Sequence, residues 1–126
     1  DLTEWIKLAN HDIETVQILI DQKGPPEIII YHIHQATEKL LKVLILKSGD
    51  QFEKIHFLDK LLNVCIIKYS ELEQIKDDIL ELNLYLPKLR YPFGGDISFE
   101  EAKNIYNKFA HIKKILFNLN DIESTT

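Results

Sequence analysis

The chain has 126 residues, 45% of them hydrophobic and 28% charged, with a formal net charge of -5 and a pI near 5.5. That length can bury about two thirds of the unfolded surface, enough for a core without staples, and an acidic balance excludes a chain-wide footprint for duplex nucleic acid, leaving room only for a local basic patch. One cysteine, Cys65, excludes an internal disulfide and a cysteine-based zinc site, and no membrane-length apolar run or signal peptide stands out.

Apolar spacing is helical almost throughout. Helix one is predicted from a cap at Thr3 to about Lys23, with an inward stripe of Trp5, Leu8, Ala9, Val16, Leu19 and Ile20. Asp12 falls inside that stripe. Helix two starts at the Pro25-Pro26 pair and ends near Ser48-Gly49. Its second half, LLKVLILK, is apolar on nearly every side, which predicts a central helix or one facing a second subunit. Helix three is expected over 57–68, with Leu58, Leu61, Leu62, Cys65 and Ile66 inward. Helix four opens on a Ser70/Glu73 capping box, carries Leu72, Ile75, Ile79, Leu82 and Leu86, and is limited by Pro87. Helix five opens on a second box, Ser98/Glu101, and carries Ala102, Ile105, Tyr106, Phe109, Ile112, Leu116 and Leu119.

The expectation is an all-α, up-and-down antiparallel bundle of four long helices plus one short one, in a single domain over 1–126. The longest connection, 87–97, holds Arg90, which stands alone among fourteen lysines. A loop of that length in a compact bundle is often functional. The sequence contains no Met, as expected of a trimmed chain or a piece of a longer polypeptide.

Helix two also carries polar residues at helical spacing. His34, Glu38 and Lys42 share one face, and Gln35, Lys39 and Lys42 an adjacent one. The bland reading is a solvated face with a Glu38–Lys42 ion pair. The sharper one is a polar strip lining a cleft, with His34 and Glu38 as proton-active groups. His32 and His34 point apart, and no third ligand is placed by spacing, so no metal site is expected. His56 reads as a capping or loop-bonding group, His11 and His111 as surface groups, and Cys65 as a buried inert thiol. Asp12 and Arg90 invite a pairing: a carboxylate in an apolar stripe needs a partner, and a guanidinium binds it in two places. The competing use of Arg90 is a phosphate contact.

The order of four pieces resembles the HEPN domain family (higher eukaryote and prokaryote nucleotide-binding). They are WIKLANHDIETVQILI, HQATEKLLKVLIL, KIHFLDKLL and RYP, spanning 5–92. The resemblance implies a helical bundle, commonly a homodimer, often encoded beside a minimal nucleotidyltransferase as a toxin–antitoxin pair. Some members bind nucleotides. Others are metal-independent ribonucleases with an Arg, a short spacer and a His. Here the positions where that His would fall hold Gly95, Asp96 and Ile97, so the usual ribonuclease site is missing and no catalytic residue is assigned.

The resulting expectation is a cytoplasmic, non-catalytic binding module. Its ligand contacts are His34, Glu38, Lys42, Arg90 and Tyr91, with Tyr91 stacking on a base and Asp12 and His56 as structural polar groups. No cofactor is expected; RNA is left as an open partner. The alternatives are a degenerate ribonuclease using His34 or His111, and a purely structural dimerisation domain.

Overall fold

The computed structural model describes residues 2–51, 57–90 and 96–123. They form an all-α bundle, and no strand occurs among the described residues. Three helices are long: α1 (Leu2–Asp21), α2 (Pro26–Lys47) and α6 (Phe99–Leu119). Between them lie α3 (Leu58–Ile66), a 3-10 helix (Ser70–Ile75), α4 (Lys76–Leu84) and α5 (Leu86–Arg90).

The three long helices end the same way. Each closes on a Schellman turn, in which the third residue past the helix bonds back to a carbonyl in its last turn. Gly24 N donates to Leu19 O, Asp50 N to Ile45 O, and Ile122 N to Phe117 O. The left-handed residues in these turns are Lys23, Gly49 and Asp121. The left-handed position is a glycine in only one of the three. Next to Lys23, Gly24 is needed for space, since a Cβ there would meet Leu19 Cδ2 at 2.7 Å.

At their other ends some elements start as expected and others do not. Thr3 lies within α1, which starts one residue earlier, at Leu2. The Ser98/Glu101 box forms in full, both reciprocal bonds present. The Ser70/Glu73 box does not form. There the chain enters through a 3-10 turn closed by Leu72 N on Tyr69 O, which puts Ser70 inside the turn and not at its cap. The predicted fourth helix is consequently divided into the 3-10 helix, α4 and α5. Pro87 is the second residue of α5, where its missing N–H is not needed, so the break falls two residues earlier, at Tyr85.

The core is built on α2, which buries twelve of its 22 residues. Leu40, Leu41, Val43, Leu44 and Ile45 are all at most 2% exposed. The apolar second half of this helix is therefore satisfied within one chain, and it supplies no argument for a partner surface. Leu72, Ile75, Ile79 and Leu82 are buried, as are Leu58, Leu61, Leu62 and Cys65. Leu8, expected to face inward, is 45% exposed. The α1–α2 pair is antiparallel: Trp5 meets Lys42 near one end, and Asp12 meets His32 and Lys39 further along. α6 runs parallel to α2, with Tyr106 against Gln17 at its start and Leu119 against Lys47 at its end. No helix is long and apolar enough to cross a membrane among the described residues.

Candidate functional site

Two polar clusters flank α2. Residues two apart on a helix point in nearly opposite directions, so His32 and His34 look to different neighbours.

His32 faces α1. Its Nδ1 lies 2.8 Å from Asp12 Oδ1, and Lys39 Nζ lies 2.5 Å from Asp12 Oδ2. His32 and Lys39 are seven residues apart, two turns along one face. The Asp12 side chain is 10% exposed, so its carboxylate leaves water only because both oxygens are met. The Tyr31 ring packs edge-on against His32, centroids 5.1 Å apart. This corrects the expected pairing of Asp12 with Arg90. The carboxylate belongs to the α1–α2 seam, where two α2 side chains reach it, and Arg90 lies elsewhere, on α5.

His34 faces the opposite side. It is 1% exposed, and neither ring nitrogen has a hydrogen-bond partner. A buried donor or acceptor left unmet costs about 1–3 kcal/mol. Burial pushes the His34 pKa below the ordinary 6.5; the Arg90 guanidinium pushes it the same way, and the Glu38 carboxylate opposes both. The ring is thus a neutral imidazole at neutral pH, with one donor and one acceptor nitrogen unused.

Glu38 and Lys42 sit one and two turns further along α2 and are bound to each other, Lys42 Nζ to Glu38 Oε2 at 3.0 Å. The Lys42 side chain is 4% exposed, and its ammonium also lies over the Trp5 ring, 5.6 Å from the centroid. The polar strip is therefore largely enclosed rather than solvated. Arg90, the last residue of α5, is exposed, and α5 packs against α2. Of the five expected ligand contacts, the structure gathers His34, Glu38 and Lys42 along one side of α2 and sets Arg90 where its charge reaches His34. Tyr91 lies outside the described residues, as does His56.

Sequence reasoning passed over His32 and Lys39 as the partners of Asp12. Their seven-residue spacing was the available signal. It also passed over Asn83, whose Oδ1 accepts from Leu58 N and so caps α3 from a distant element. Cys65 is buried, its thiol pushed up to about 12 by desolvation, with Sγ donating to Leu41 O at 3.4 Å; such a thiol is unreactive. His11 and His111 are exposed. Among the described residues, no three His, Cys, Asp or Glu side chains group in a way that could hold a metal ion.

Comparison with known proteins adds one finding. The family model described as HEPN domain matches residues 2–119, nearly the whole chain. No curated protein and no solved structure matches it.

Proposed function

This chain belongs to the HEPN domain family, and from that premise we propose that it is a non-catalytic binding module that takes up a nucleotide on the α2–α5 side. The observation that carries the reading is His34: a neutral imidazole, buried and unpartnered on both nitrogens, on which the charges of Glu38 and Arg90 both act. Native structures rarely leave such a group unmet without a use for it. Arg90 is the outer contact. Its exposed fork suits a phosphate, which it can grip through two bonds where a lysine offers a point charge. Tyr91 follows Arg90 in the sequence and supplies a ring on which a base stacks. His34, Glu38 and Lys42 form the layer beneath, with Lys42 bound to Glu38 and lying over the Trp5 ring.

The module forms a homodimer in the cytoplasm and works with a minimal nucleotidyltransferase of the toxin–antitoxin type. The support is the family together with the missing ribonuclease histidine: Gly95, Asp96 and Ile97 occupy the positions where it would stand.

Calorimetric titration of the chain with a panel of nucleotides tests the ligand. Binding that Arg90→Ala weakens about tenfold or more, in line with the loss of a charge-assisted pair, is the expected result. No heat with any nucleotide would remove the ligand from the account. Co-purification with the product of a neighbouring nucleotidyltransferase reading frame tests the partner.

A further inference from the structure

α6 inverts the charge of the molecule. From Ala102 to Asn120 the sequence has four lysines and no Asp or Glu. The whole chain has fifteen basic residues; without these four, eleven stand against twenty acidic ones. Surface helices ordinarily intersperse the two signs, because a Glu–Lys pair one turn apart stabilises the helix. α6 has its two acidic residues, Glu100 and Glu101, in the first turn, where only Glu100 stands one turn from a lysine, Lys103; the five turns that follow contain no such pair.

The structure shows where those cations lie. Lys108 is answered from α4 by Glu81 at 2.6 Å. Lys103 and Lys114 are exposed and make no ion pair or hydrogen bond within the described residues. They sit on one ridge with Asn107, His111 and Asn118, all exposed. The ridge runs about 22 Å at the helical rise of 1.5 Å per residue. No aromatic ring stands free on it: Tyr106 is half-buried and its hydroxyl donates to Gln17 Oε1 at 2.6 Å.

We propose that this ridge is a docking surface for an acidic segment of a partner protein. Charge complementarity sets the sign of the partner, and the carboxamides of Asn107 and Asn118 beside the lysines suit its backbone. Single-stranded RNA fits less well, since it needs stacking rings along the track. The inference rests on α6 alone and is independent of the α2–α5 ligand reading.

The test is a fluorescence-anisotropy titration of the chain with two probes of matched charge, a short oligoglutamate peptide and an oligouridylate. Two variants of equal net charge are compared, Lys103→Glu/Lys114→Glu on the ridge and Lys23→Glu/Lys60→Glu away from it. The expected result is oligoglutamate binding that weakens as salt rises, falls about tenfold or more in the ridge variant, and survives in the control. Equal loss in both variants would overturn the proposal, since net charge alone would then explain the binding. Preference for oligouridylate would overturn it in favour of RNA. Sedimentation showing wild-type self-association that the ridge variant abolishes would overturn it in favour of a second copy of the chain.

Discussion

The two sides of α2 handle buried polarity in opposite ways. On the α1 side, Asp12 is taken out of water with both oxygens met, by His32 and by Lys39. On the α5 side, His34 is taken out of water with neither nitrogen met. A fully satisfied buried cluster holds two helices in register; an unsatisfied one lowers stability and needs another explanation. The comparison separates the polar residues of one helix into a set that meets Asp12 and a set around the unmet His34, although the two interleave along the sequence.

Mutations should expose the difference. The largest effect falls on the satisfied side. Asp12→Ala leaves Lys39 and His32 facing an apolar seam without their anion, and is expected to cost about 2–4 kcal/mol in urea unfolding. A loss below about 0.5 kcal/mol would show that the seam does not depend on the cluster. On the other side, His34→Leu removes an unmet donor and acceptor and keeps an apolar filling. It should be neutral or stabilising by about 1 kcal/mol, while nucleotide binding is lost. Marked destabilisation would mean that His34 is a packing residue with partners in solution.

Acid sharpens the contrast further. The folded-state pKa of His34 lies below 6.5, chiefly through desolvation, so below that pH the unfolded chain binds a proton that the folded chain resists. Stability should fall as pH drops below about 6.5 and level off beneath the folded value. In His34→Leu this part of the pH profile should flatten. An unchanged profile would assign the acid response to other groups. The smallest effect is expected at Arg90, which is exposed: Arg90→Ala should change stability by less than about 0.5 kcal/mol. A larger loss would restore Arg90 as a structural anchor.

How much of this could be read from the sequence follows from the range of each interaction. The stripes Leu58-Leu61-Leu62 and Leu72-Ile75-Ile79-Leu82 were legible because helical periodicity is local. So was the Ser98/Glu101 box, a contact over three residues. The same pattern at Ser70/Glu73 misled, because the 3-10 entry through Tyr69 leaves Ser70 inside the turn. The need of Asp12 for a partner was legible, but not the partner. Its choice depends on the register of α1 against α2, and Arg90 drew notice only by being the sole arginine. The burial of His34 and Lys42 was hidden for a related reason. Spacing at four and eight residues suggests a solvated face, and only the packing of other elements on both sides of α2 encloses it.

The proposed ligand site includes His34 and not His32. Histidine ring nitrogen NMR during a nucleotide titration tests it most directly. The account predicts that the His34 ring nitrogens shift as nucleotide is added, while His32 keeps the shifts of an imidazole bound to Asp12. Movement of His32 with His34 unchanged, or of neither ring, would contradict it.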